Sequence, residues 1–301
     1  MRQMTVGIGA IVLIAGSAFA GDISQVNGFK AEMRIFNDFP LTSLSVGPVG
    51  GPYIPAPVPT SIPVPGNSLQ INEDFGPGAI GNFANKHVGF FSTDGGASRY
   101  RANASQSFSL DFDITINAPA GAPRKEAGVF IRNPRTNNNP FYVDEGEVMV
   151  ASDGEVALFG AAMPFFSFHN VYTLGSTDHV SFRFFAPGTV HPTLGAYQMV
   201  ITDPVTGIND SASPINQALA QSEVGGTAQF TPGGLRLWDV QGDGLEGFNN
   251  DAEFGFLMQA QRNPLISDSY SVLYNGLHVV PAPGAMALLG LAGLAAGRRR
   301  R

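Results

Sequence analysis

The sequence predicts an all-β chain, an antiparallel β-sandwich, and three observations predict it. Beyond residue 66 apolar and polar residues alternate with a period of two, tight-turn sequences recur at roughly ten-residue spacing, and almost no segment carries the helical period. Composition agrees: 37 Gly and 22 Pro in 301 residues suit many turns between short strands, and a charged fraction of 14% is too low for a coiled coil or a charge-rich disordered chain. The chain has no cysteine, which excludes disulfides, Cys-ligated zinc, iron–sulfur clusters and thiol nucleophiles.

Taken in order, residues 1–20 place one basic residue, Arg2, before an apolar run from Val6 to Ala15 and end in Ala18-Phe19-Ala20. That is the layout of a secretory signal peptide with an A-x-A cleavage site, and cleavage after Ala20 makes Gly21 the new N-terminus. Residues 21–66 are an N-terminal strand region followed by a proline-rich, uncharged stretch, Val46 to Gly66, which reads as an extended spacer.

Residues 67–280 read as the sandwich. In Ser107 to Asn117, Phe108, Leu110, Phe112, Ile114 and Ile116 alternate with Ser109, Asp111, Asp113 and Thr115, giving one apolar and one wet face. Similar runs follow at Ala127–Arg132, Glu147–Ala151, Val156–Phe159, His179–Phe185, Ala196–Thr202, Gly234–Val240, Glu253–Gln259 and Ser269–Val279. Turns such as Ser152-Asp153-Gly154 and Ala186-Pro187-Gly188 separate them. Only Pro214 to Ser222 reads as helix within this region. The runs Glu126–Ile131 (EAGVFI), Ser152–Gly160 (SDGEVALFG) and Asp251–Gln259 (DAEFGFLMQ) look similar to concanavalin A-like jelly rolls, the sandwich of lectins and glucanases.

If that resemblance extended to the retaining glucanases, an E-x-D-x-x-E strand should be present, because nucleophile and acid/base must face one cleft about 5–5.5 Å apart. Glu145 and Glu147 start such a pattern, but Val150 stands where the third acid belongs; Asp251 and Glu253 fail likewise at Phe256. Both pairs read as solvated strand edges. The chain lacks a G-x-S-x-G elbow, a phosphate loop and any H-x-H or H-x-x-x-H spacing among its five histidines. No catalytic residue is assigned. Sugar binding would need an exposed aromatic beside amides or carboxylates, and Tyr142, Tyr172, Tyr197 and Trp238 are the aromatics with such neighbours, although strand-spaced aromatics usually belong to a core.

No cofactor is required, and calcium is the one metal with a pattern behind it. Asp239, Asp243 and Gly244 occupy positions 1, 5 and 6 of an EF-hand-like loop, with Glu246 close behind. Gln241 and Asn250 depart from that loop at positions 3 and 12. Two readings stand: an Asx-rich loop between strands, and a calcium-stapled loop held by Asp239, Asp243 and Glu246.

Residues 281–301 carry the most specific signal. Pro281-Ala282-Pro283 precedes an apolar segment, Gly284 to Gly297, and then Arg298, Arg299, Arg300 and Arg301. Fourteen helical residues span about 21 Å, short of a hydrocarbon core of about 30 Å, so this terminal hydrophobic helix is suited to transient membrane insertion, with the arginines retained on the cytoplasmic side. The order resembles the PEP-CTERM sorting signal of bacterial envelope proteins, with Ala282 where that family usually has Glu. The resemblance implies an exosortase, a membrane-embedded transpeptidase-like cysteine protease, as the partner that removes the tail.

Without the two ends, 12 basic residues face 24 acidic ones. This sign disfavours nucleic acid and anionic membrane surfaces. The expected protein is therefore exported and sorted to the cell surface or extracellular matrix of a bacterium, with a non-catalytic sandwich. A module that binds envelope or extracellular polysaccharide is the second reading, and a glycan hydrolase the third.

Overall fold

Strands form where β-branched and aromatic residues alternate with polar ones, and the chain turns at Gly, Asn and Pro. The computed structural model describes residues 24–26, 28–31, 36–37, 43–56, 61–63, 67–75, 84–103, 106–121, 123–132, 145–159, 166–168, 170–189, 192–193, 195–202, 230–231, 235–238, 251–261 and 268–281. The strands among them are β1 (Ser24–Gln25), β2 (Gly28–Ala31), β3 (Phe36–Asn37), β4 (Ser43–Gly47), β5 (Ile54–Ala56), β6 (Ser61–Pro63), β7 (Ser68–Phe75), β8 (Ala84–Ser92), β9 (Arg101–Asn103) and β10 (Phe108–Asn117). The rest are β11 (Lys125–Arg132), β12 (Glu145–Ala151), β13 (Val156–Phe159), β14 (Phe166–Phe168), β15 (Asp178–Phe185), β16 (Gly195–Thr202), β17 (Phe230–Thr231), β18 (Leu235–Trp238), β19 (Asp251–Gln261) and β20 (Asp268–Pro281).

These strands make two antiparallel sheets. The first runs β17-β18-β16-β15-β10-β20-β7-β4-β5, with β1 beside β20; the second runs β14-β13-β12-β11-β19-β8-β2-β6, with β3 on β8 and β9 on β19. In strand order the chain changes sheet repeatedly, for example between β6 and β7, β7 and β8, β10 and β11, β14 and β15, β18 and β19, and β19 and β20. That is jelly-roll connectivity, and it agrees with the expected all-β sandwich. The expected strands between Ser107 and Val279 are present, with ends moved by a few residues.

One expectation is corrected. The stretch Val46 to Gly66 is more than a spacer: Val46 is a buried residue of β4, β5 pairs with β4 at the edge of the first sheet, and β6 pairs with β2 at the edge of the second. Proline is compatible because these are edge strands, where a missing N–H breaks no inner ladder. The sandwich therefore takes strands from both sides of residue 67. The terminal helix, the Pro214–Ser222 helix and the signal peptide lie outside the described residues.

The main core lies between the sheets. Leu110, Phe112, Ile114 and Ile116 of β10 face Val129, Ile131, Phe254 and Phe256 of the second sheet, and all are essentially buried. Strand β20 changes parity on the way: Tyr270, Val272 and Tyr274 point inward, then Leu277 and Val279 do. The register against β10 slips between Asp111 and Asp113, and Gly276, at φ 60°, supplies the extra residue of a bulge.

Polar bolts cross the core. Lys125 of β11, fully buried, pairs with Asp268 of β20 at 2.5 Å, and Glu73 of β7 meets His87 of β8 at 2.8 Å. Tyr274 reaches from β20 into the β11–β19 ladder, where its hydroxyl accepts the Gly128 N–H at 3.1 Å and lies 2.8 and 2.7 Å from the carbonyl oxygens of Gly128 and Leu257. Burial raises its phenol well above the ordinary value, so it remains a donor.

Candidate functional site

The outer face of the second sheet, turned away from the first, concentrates the charged side chains that the strands bury. Cross-strand partners share a face, so the register lays that side out in rows. One row holds Lys86, Gln259 and Glu126; the next Val88, Leu257, Gly128 and Met149; the next Phe90, Gly255, Phe130 and Glu147. Val88, Phe90, Phe130, Met149 and Leu257 form a second apolar cluster, separate from the main core. Phe90 and Phe130 meet edge to face at 5.1 Å across Gly255, where a Cβ would come within 2.4 Å of the Phe130 ring.

Lys86 on β8 forms an ion pair with Glu147 on β12. Three strand spacings separate them, about 14 Å in a flat sheet, which is more than the two side chains can bridge together with the two-row offset. The sheet therefore departs from flatness here, and the pair ties β8 to β12 across β19 and β11. Around it, Arg99 and Arg101 hold Glu253 at 3.3 and 2.9 Å, and the Arg99 guanidinium lies 3.8 Å from the centre of the Phe90 ring. Arg124 holds Glu126 at 3.0 Å and also pairs with Glu155. Glu126 accepts hydrogen bonds from the amides of Gln259 and of Gln261, the latter at 2.8 Å. Burial pushes the Glu126 carboxyl up, against the opposing pull of Arg124 and Gln259.

The reading of Glu147 and Glu253 as solvated strand edges is corrected: they are 6% and 0% exposed. Their cations come from residues 61, 154 and 152 positions away, which no local pattern brings together. A signal was nonetheless present. In Glu126–Ile131 and Asp251–Gln259 the polar parity also carries one large apolar residue each, Phe130 and Leu257, which a solvated face would not favour. Side chains of Glu145 and Asp251 lie outside the described set.

The aromatic candidates for sugar contact divide. Tyr172 and Tyr197 are core residues at 4% and 2% exposure. The Tyr172 hydroxyl accepts the Ile116 N–H at 2.7 Å and donates to the Ser176 carbonyl at 3.1 Å, and burial pushes its pKa up to about 12. Tyr142 and the Trp238 side chain are outside the described residues, as are Asp239, Asp243 and Glu246 of the calcium-loop reading. Among the described residues no group of three or more His, Asp or Glu is arranged to hold a metal ion. Of the sorting residues, Pro281 is described, as the last residue of β20 opposite Phe108; Ala282, Pro283, Arg298, Arg299, Arg300 and Arg301 are not, nor are Ala18, Ala20 and Gly21. No helix among the described residues is long and apolar enough to cross a membrane.

The rows and the two sheets define an antiparallel β-sandwich with ion pairs buried on one outer face. No protein-family model matches the chain, and no curated relative does either. Among solved structures it is similar to an alginate lyase A1-II' of polysaccharide lyase family 7, at 10% identity and a TM-score of 0.42 over 83% of this chain and 99% of that one. It is also similar to a winged bean acidic lectin complexed with methyl-α-D-galactose, at 10% identity and 0.36 over 64% of this chain and 80% of that one. Lectin II from Ulex europaeus gives 8% and 0.38 over 68% and 86%.

Proposed function

We propose that this chain is an exported bacterial envelope protein, delivered to the cell surface or extracellular matrix by an exosortase that reads Pro281-Ala282-Pro283, and that its sandwich serves there as a non-catalytic body. The observation that carries the reading is the order of unlike features in one stretch: Pro-x-Pro, a short apolar segment, four arginines. The fold fits it. Strand β20 is paired from Asp268 to Pro281, so the sorting element begins where the last strand ends, and proline, lacking an N–H, closes the ladder there.

The non-catalytic part of the proposal is supported by the outer face of the second sheet. Glu147, Glu253 and Glu126 are buried there and each is held by a lysine or arginine, an arrangement suited to joining strands. A glycan hydrolase needs one carboxyl kept protonated beside another kept ionised, both open to substrate.

The test is replacement of Pro281 and Pro283 by Ala in the native host. Alanine is sterically compatible with the strand end at 281, so the sandwich should melt as before. The variant should accumulate in the membrane fraction with its tail intact, while wild-type protein is processed. Mass spectrometry of wild-type protein that still ends in the arginine quartet, or normal processing of the double variant, would overturn the assignment.

A further inference from the structure

The outer face of the first sheet is built differently from that of the second, and a chain of hydrogen bonds crosses its β5–β4–β7 edge. Tyr53 precedes β5, where Ile54 opposes Val46, so the antiparallel register sets Tyr53 opposite Gly47; on the other side of β4, Gly47 opposes Gln70. The Tyr53 hydroxyl donates to Gln70 Oε1 at 2.7 Å. To reach across a whole strand the ring must lie over β4 along the sheet surface. Gly47 lets the backbone before β5 approach β4 closely: a Cβ there would sit 2.3 Å from the Pro52 carbonyl oxygen.

From Gln70 the relay continues. Gln70 Nε2 donates to Asn72 Oδ1 at 2.7 Å, and Asn72 Nδ2 donates to Ser45 Oγ at 3.3 Å. Each amide spends one N–H and one lone pair in this chain and keeps one of each, held in a fixed orientation. Tyr53 is 37% exposed and has exposed Val49 and Ile54 beside it. The rows run on through Leu273 and Thr115, and through Ser271 and Asn117, across β20 to β10, about 19 Å at ordinary strand spacing. No lysine or arginine stands in them, and Asp74 lies in the neighbouring row.

We infer that this face is a binding platform for a neutral polysaccharide chain, with Tyr53 stacking on a sugar ring and Gln70 and Asn72 exchanging hydrogen bonds with its hydroxyls. An aromatic lying along the surface offers its π-face to the C–H side of a pyranose, and pre-oriented amides match the paired donor and acceptor character of hydroxyl groups. With Asp74 beside them and no lysine or arginine in the two rows, these positions disfavour uronates and sulfated polymers. The inference is independent of the sorting proposal, which is read out on the tail.

Affinity electrophoresis of the full chain tests it, in gels containing hydroxyethylcellulose, laminarin, xyloglucan or galactomannan, with alginate and polygalacturonate as anionic comparisons. Wild-type protein should be retarded by at least one neutral polymer and by neither anionic one. Tyr53→Ala should weaken that retardation about tenfold, the upper range for one aromatic contact, while Tyr53→Phe keeps most of it. Asn72→Ala, from the middle of the relay, gives a second reading, and thermal melts of both variants check the fold. Retardation by no neutral polymer, retardation by the anionic polymers instead, or unchanged retardation in both Tyr53→Ala and Asn72→Ala would overturn the inference.

Discussion

Tyr274 illustrates how much one side chain carries in this fold. Its ring packs between Phe112 and Phe256, and its hydroxyl serves the backbone of the opposite sheet at Gly128 and Leu257. Replacing it by Phe keeps the ring and takes the partner from a buried N–H. Tyr274→Phe should cost about 1–3 kcal/mol in urea unfolding, with an unchanged slope against denaturant. A loss below a few tenths of a kcal/mol would mean that Gly128 finds another acceptor in the ladder. In the sequence Tyr274 is one more inward aromatic of a strand. Its second role depends on which strand passes beneath it, so no local pattern announces it.

At the scale of elements, the outer face of the second sheet is held by charges borne on different strands. Lys86 of β8 and Glu147 of β12 close over β19 and β11, and both side chains are more than nine-tenths buried. Lys86→Met should therefore destabilise by about 3–5 kcal/mol, because the carboxylate of Glu147 stays in the dry face without its lysine. The double variant Lys86→Met with Glu147→Leu should recover most of that loss, and a double-mutant cycle on chemical unfolding measures it. A double variant as unstable as the single one would show that the loss does not come from leaving Glu147 unpaired. The strands themselves were legible, since Phe108 to Ile116 alternate over five inward positions. The burial of each acid was not, because Arg99, Arg101 and Lys86 reach Glu253 and Glu147 from other strands.

For the molecule as a whole, the question is where the sandwich begins. Val26, Leu44 and Val46 are buried in the main core, and β4 pairs with β7 along Ser43 to Gly47. Each such side chain contributes about 1.5–3 kcal/mol when removed from water. A chain starting at residue 67 should lose its cooperative thermal transition, whereas one starting at Gly21 should keep it. Equal melting of the two would place residues 21–66, with Val46 to Gly66 as a spacer, outside the cooperative body. Proline richness misled the sequence reading here because two edge strands tolerate it, and edge position is a property of the sheet.

By itself the amino-acid sequence determined that this chain is all-β, that it turns where Gly and Pro punctuate a period-two pattern, and that Pro281-Ala282-Pro283 leads into an apolar stretch and an arginine cluster. These are local properties, written in composition and in spacing along one segment. Tertiary structure alone decided that Glu147 and Glu253 are buried beside distant cations, that Tyr53 lies across Gly47 to Gln70, and that residues before 67 belong to the core. Each of those contacts joins strands set by sheet order, and sheet order is the outcome of packing two faces together, which no single strand encodes.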